Sequence, residues 1–362
     1  MKFIDEYRDP VIAEHLLEAV RARALKIGRQ VTIMEVCGSH TYAIGHYGIR
    51  KMLPASIRLI SGPGCPVCVT AGRDVDTALF LASRKNVIFT TFGDMLRVPG
   101  SGGNSLQKAR AQGADVRVVS SALDAIEIAG KHPDRDVVFM GIGFETTSPT
   151  VASMINACRK GGIRNLSVFS VHKLVPPAIH VLLNDPALAV DGFLCPGHVS
   201  TVIGFSSYRE ITEKGRAAVI TGFEPVDILE GIFMLLGQFL SGEYRVENQY
   251  SRGVKPEGNL RAQDLLAEVF MPVPSEWRGL GVIGGSGLVL RDTFSTFNAL
   301  ARFDVPVMDS EEIEGCMCGS ILRGVATPDE CPLFRAACTP QNPIGPCMVS
   351  REGTCSTYYK CQ

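Results

Sequence analysis

From Val137 to Lys173 the chain reads VVFMGIGFETTSPTVASMINACRKGGIRNLSVFSVHK, and this stretch decides the class of fold. Its two ends, Val137–Glu145 (VVFMGIGFE) and Leu166–Lys173 (LSVFSVHK), are short apolar runs that stop at small polar or titratable residues. Continuous Val, Ile, Leu and Phe without alternation marks a strand buried on both faces, as in a parallel sheet. The intervening SPTVASMINACRKGG has helical spacing, so the whole reads as one βαβ unit. Upstream lie four more runs of this kind: Val31–Cys37, Ile57–Gly64, Val87–Asp94 and Val116–Ser121. Downstream lie Val190–His198 and Ala217–Pro225, and helical stretches such as RDVDTALFLASRK separate the runs.

The eight strands divide evenly at His132–Arg135 (HPDR). The expectation is therefore an α/β protein of two similar parallel-sheet lobes around a cleft, residues 30–134 and 135–240, plus a Cys-rich domain. That third domain covers 260–362, with 1–29 packed against it and a polar, Gly-rich linker near Gln238–Leu260. A helix at Ala262–Phe270 and an apolar Gly-rich stretch at Leu280–Leu290 precede the Cys-dense tail. In parallel sheets ligands sit beyond the carboxyl ends of the strands. The residues at those ends are Cys37, Gly62–Cys68, Asp94, Glu145, His172–Lys173 and His198, and a cleft between the lobes would collect them.

Composition narrows the function. A hydrophobic fraction of 46% with 20% charged residues excludes a disordered chain. Lys+Arg 36 against Asp+Glu 37 leaves no global field for a phosphate backbone, so no nucleic-acid partner is expected. The charged opening MKFIDEYRDP does not read as a signal peptide. LGVIGGSGLVL is too short to span a bilayer and ILEGIFMLLGQFL carries Glu230, so the expectation is a cytoplasmic protein without a membrane partner.

Twelve cysteines are the anomaly, and seven of them (Cys316, Cys318, Cys331, Cys338, Cys347, Cys355, Cys361) crowd into the tail. In a long cytoplasmic chain such density points to metal or redox chemistry. Near the amino end, Cys37-Gly-Ser-His40 closes one strand and Gly62–Cys68 (GPGCPVC) the next. Three sulfurs and an imidazole there suit a soft or borderline metal, or Cys65 and Cys68 form a thioredoxin-type redox pair. The tail spacing matches neither the paired CxxC of a zinc ribbon nor the ferredoxin run. A cluster on four thiolates with a spare redox pair is the leading reading, and zinc is the lesser one.

Other features take plainer readings. Gly141-Ile-Gly143 lacks a third glycine, and Gly100–Gly103 precedes no GK[ST], so nucleotide binding has weak support. Glu145 is either a surface acid or a base in the cleft. Cys195 reads as packing, His198 on its Pro-Gly turn as a cleft residue, and Cys158 as helix core. Cys361, beside the end of the sequence, receives no role.

Together, CGSHT (Cys37–Thr41), GPGCPVC, GFETT (Gly143–Thr147), PGHVS (Pro196–Ser200) and the tail CxCGxILRGxxxPxxCPLF…CTPxxPIGxCMVSxEGxC resemble the HypD family of NiFe-hydrogenase maturation factors. The resemblance covers nearly the whole chain. It implies two related α/β domains and a third holding a 4Fe-4S cluster. It also implies a scaffold role. With the small partner HypC, the protein would hold Fe(II) while CN and CO ligands are attached, cyanide arriving from HypE on a HypF-derived donor. The cluster environment of the family is similar to that of ferredoxin:thioredoxin reductase, where a cluster stands beside a disulfide. Carried onto this sequence, Cys37 becomes the iron-binding thiol and Cys65 with Cys68 the redox-active pair. Cys316, Cys331, Cys338 and Cys355 become cluster ligands, and Cys318 with Cys347 the adjacent disulfide pair; the choice between Cys316 and Cys318 stays open. The rival readings are a stand-alone disulfide reductase using the same cysteines and a zinc-binding interaction protein.

Overall fold

All eight apolar runs are strands in the computed structural model, which describes residues 4–309 and 313–361. They are β1 (Val31–Glu35), β2 (Ile57–Ser61), β3 (Val87–Thr91), β4 (Asp115–Val118), β5 (Asp136–Gly141), β6 (Leu166–Ser170), β7 (Gly192–Pro196) and β8 (Ala217–Thr221). Every residue of β3, β7 and β8 is buried, as an unalternating apolar run requires when helices cover both faces. Each fully buried Val, Ile or Phe contributes about 1.5–3 kcal/mol, so these strands anchor their sheets.

The strands form two parallel sheets, giving the two similar α/β lobes, but the expected division at His132–Arg135 does not describe how they are shared. One sheet has the order β2-β1-β7-β8-β9, where β9 is the short edge strand Val246–Asn248; the other has the order β4-β3-β5-β6. β1 pairs with β7 through Ile33↔Gly192, Met34↔Phe193 and Glu35↔Leu194, and β3 pairs with β5. The second lobe is thus inserted within the first. Sequence order does not fix sheet order, because a strand joins whichever exposed edge a right-handed crossover lets it reach.

The amino-terminal segment was also expected elsewhere. The helix Pro10–Ile27 packs along the helix Pro225–Ser241 of the first lobe, burying Leu17, Val20 and Ala24 with Ile228, Ile232 and Leu235, rather than against the Cys-rich tail. Asp9 starts it by accepting from the backbone N–H groups of Val11 and Ile12, which the helix itself leaves unpaired. The expected linker is partly structured, since Gln238–Ser241 belongs to the long helix and β9 follows.

Beyond the helix Leu260–Val269, β10 (Phe270–Trp277) and β11 (Gly281–Leu290) form an antiparallel hairpin with a bulge between Val273 and Ser275. The tail is irregular apart from short helices. Pro346–Val349 packs on Pro66–Val69, and Thr354–Cys361 packs on Gly38–His46, which places Cys361 over Gly45. One apolar core joins both sheets to the tail cysteines. Among the described residues no helix is long and apolar enough to cross a membrane.

Candidate metal and thiol site

Cys37 follows β1 and caps the helix Gly38–His46 in an extended conformation, with the backbone N–H groups of Ser39 and His40 directed at its sulfur. Burial nevertheless pushes the thiol up to about 12, and the nearby Glu352 carboxylate adds to that. The GPGCPVC loop lies directly against it. The Gly38 N–H donates to the Gly64 carbonyl at 2.8 Å, and a Cβ on Gly64 would stand 2.4 Å from the Cys37 nitrogen. Only glycine permits that approach.

The tail reaches both lobes at this point. Ser39 Oγ of the first lobe donates to Glu352 Oε1 at 2.6 Å, and Ser350 Oγ donates to Asp94 Oδ2 of the second lobe at 2.7 Å. Burial pushes the Glu352 carboxyl upward too. A cavity of about 250 Å³ opens beside them, with Pro66, Val67, Asp94, Thr147, Ser350 and Glu352 in its wall.

Cys65, Cys68, Cys347, Cys318 and Cys316 form a continuous series. Cys65 caps the helix Pro66–Val69 by accepting from the Cys68 N–H at 3.3 Å, and the two Sγ atoms stand 2.6 Å apart. Cys318 and Cys347 Sγ stand 2.7 Å apart, and the Cys347 thiol also contacts Cys68. Burial pushes Cys68 up, and the hydrogen bond from Cys347 opposes it. Cys316 is raised chiefly by its contact with Cys318, then by burial.

Cys316, Cys318, Cys331, Cys338, Cys347 and Cys355 all line one small apolar hollow, closed by Ile321, Leu333, Phe334 and Met348. The Ile344 N–H donates to Cys338 Sγ at 3.4 Å, the kind of outer contact that steadies a thiolate ligand. Among the described residues no group of three or more Cys, His, Asp or Glu side chains stands at the spacing of ligands round a single ion. Thiols gathered about an apolar hollow are soft donors of the kind that iron–sulfur clusters take.

The other expected site residues lie apart from this series. His40 is buried, and its Nε2 meets the Gly222 carbonyl at 2.9 Å and Thr221 Oγ1 at 3.1 Å; burial pulls its pKa down to about 4. Phe223 lies between His40 and the exposed His198, with centroids 4.8 and 3.8 Å away, so both imidazoles stack on one phenyl ring. Glu145 is no surface acid. It is 2% exposed, its Oε1 accepts from the Val175 N–H at 2.9 Å, its Oε2 is buried without a partner, and burial pushes it up to about 7.

Sequence reasoning passed over Glu35, Ser39, Phe223 and Glu352. Glu35 is buried at the end of β1, accepts from Ser61 Oγ at 2.6 Å and faces Arg50 at 3.8 Å, and burial pushes it up to about 7. Its signal was a carboxylate inside an apolar strand, two residues before Cys37.

A family model described as "HypD: Hydrogenase formation hypA family" matches residues 11–362, essentially the full length. The chain belongs to the HypD family. It is 46% identical over 367 residues to the hydrogenase maturation factor HypD of Cupriavidus necator, covering 99% of this chain and 97% of that protein. It is 47% identical to the HypD of Azotobacter vinelandii, covering 99% and 96%. A putative hydrogenase expression/formation protein of Methanocaldococcus jannaschii is 44% identical, covering 97% and 98%. Hydrogenase maturation is therefore the setting in which this HypD-family chain works, alongside other maturation proteins.

Proposed function

We propose that this HypD chain is the scaffold on which the Fe(CN)2CO group of a NiFe hydrogenase is built, in complex with HypC and supplied with cyanide by HypE. The reading is supported above all by one observation: cysteines far apart in sequence meet, Cys68 against Cys347, beside the loop that carries Cys37.

Fe(II) is the cargo, and Cys37 is its docking thiol, with a further thiol supplied by HypC. A thiol held up near 12 keeps its proton until a cation displaces it, so Cys37 is unreactive alone and becomes a ligand as iron arrives. Thiolate coordination is electron-rich and suits iron that carries CN and CO.

Cleaving the S–CN bond of a thiocyanate donor takes two electrons. Cys65 and Cys68 provide them: two thiols and R–S–CN yield the Cys65–Cys68 disulfide, R–SH and hydrogen cyanide, whose cyanide passes to iron. The pair is restored when the Cys347 thiolate attacks Cys68 and releases Cys65, after which Cys318 closes on Cys347 and releases Cys68. A 4Fe-4S cluster on Cys316, Cys331, Cys338 and Cys355, when bound, supplies the low-potential electrons that keep this series reduced.

The test is infrared spectroscopy of the anaerobically purified HypC complex. The CN and CO stretching bands should be present in the natural protein and absent in Cys37→Ala. Bands that persist in that variant overturn the role of Cys37. If the complex carries no iron beyond the cluster, the stand-alone disulfide reductase takes the scaffold's place.

A further inference from the structure

Lys173 has no part in the thiol chemistry, yet its side chain is only 2% exposed. Its ammonium donates to Ser275 Oγ at 2.6 Å and lies 3.5 Å from Asp74 Oδ2. A cation taken out of water and met by only one hydroxyl and one carboxylate is costly, and a methionine of similar length would pack there more cheaply. Such a charge calls for a reason other than stability.

Its two partners supply one. Asp74 belongs to the first turn of the helix Gly72–Ala82, which begins just after the CxxC helix Pro66–Val69. Ser275 belongs to β10, at the hairpin bulge, beside Gly287, which is registered with Val273 and bridges to Lys173 itself; a Cβ on Gly287 would stand 2.5 Å from the Ser275 Cβ.

The same end of the hairpin grips the residues that leave the CxxC helix. The Arg278 N–H donates to the Val69 carbonyl at 2.9 Å, Arg278 Nε donates to the Thr70 carbonyl at 3.1 Å, and Thr70 pairs with Trp277 as an antiparallel bridge. Thr70 Oγ1 in turn donates to the Pro66 carbonyl at 2.8 Å, inside the CxxC turn. Hydrogen bonds at either end, joined by the hairpin backbone from Ser275 to Arg278, thus link Lys173 to the backbone between Cys65 and Cys68.

We propose that Lys173 is a positioning residue for the CxxC pair: by tying the hairpin to the helix behind Cys68, it fixes the approach of Cys68 to Cys347. Thiol–disulfide exchange requires attacking and leaving sulfurs in near alignment, so a small drift of the CxxC helix slows it steeply. The assignment rests on the sulfur-relay reading above, and the experiment separates the two.

In a full-length Cys65→Ser/Cys318→Ser background, Cys68 and Cys347 are left facing each other. Diamide accepts two electrons and two protons as they join, becoming the hydrazine, and the linked peptide is quantified by mass spectrometry. Adding Lys173→Met or Ser275→Ala should lower the yield of the Cys68–Cys347 link several-fold. Ser275→Ala should do so without lowering the melting temperature, a separation that a merely structural role would not produce. An unchanged yield in Ser275→Ala overturns the assignment even if Lys173→Met fails to fold. No link with Lys173 intact overturns the relay itself.

Discussion

Glu145 holds a carboxyl that folding drives from its ordinary 4.5 up to about 7 by taking it out of water. Between those values the native protein binds the proton more tightly than the unfolded chain, so this residue makes stability fall as pH rises. Replacing it by Gln removes that slope. Urea unfolding of Glu145→Gln should therefore gain about 2–3 kcal/mol relative to the natural protein on passing from pH 4.5 to 7.5. No difference between the two proteins would mean that Oε2 has a partner in solution. His40 works in the opposite sense. Its pKa is pulled down from 6.5 to about 4 by burial, so its contribution is complete above 6.5 and is lost as pH falls toward 4.

At the scale of elements, the junction of the CGSH turn with the GPG turn decides where Cys37 stands. Gly64→Ala places a Cβ against the Cys37 backbone at a separation no real Cβ adopts, so one loop must move. Equilibrium unfolding should show a loss of about 1–3 kcal/mol, the range for overpacking a rigid contact. A variant as stable as the natural protein would show that the two turns are not held together. Much of this layer is legible in the sequence. The apolar runs of β3, β5 and β8 declare themselves as strands, and Cys37 and Cys65 fall in the turns just beyond strand ends, with Cys68 in the short helix that follows, because a strand must stop where Gly and Pro begin. The hairpin β10–β11 is hidden by Gly284, Gly285 and Gly287, which dilute its alternation. The purpose of Lys173 is hidden as well, since its partners lie 99 and 102 residues away along the chain.

The nesting of one lobe within the other could not be read from the sequence, because it lies in which edges pair and not in any run of residues. The eight strands looked like two sets of four, yet β1 and β2 share their sheet with β7 and β8. A fragment ending at residue 134 carries β1 and β2 without β7, and β3 and β4 without β5. We expect it to show no cooperative thermal transition by circular dichroism, and to regain one only when residues 135–362 are supplied. A cooperative melt of the fragment alone would contradict the pairing.

That same insertion bears on how the protein is made. The ribosome releases β1 and β2 long before β7 and β8, and at ordinary elongation speeds roughly ten seconds separate them. For that interval the growing polypeptide shows an unfinished sheet with an open, sticky edge and the bare early cysteines beside it. Nascent-chain caretakers that cover hydrophobic segments and keep sulfhydryls from oxidising are thus a requirement written into the order of its strands.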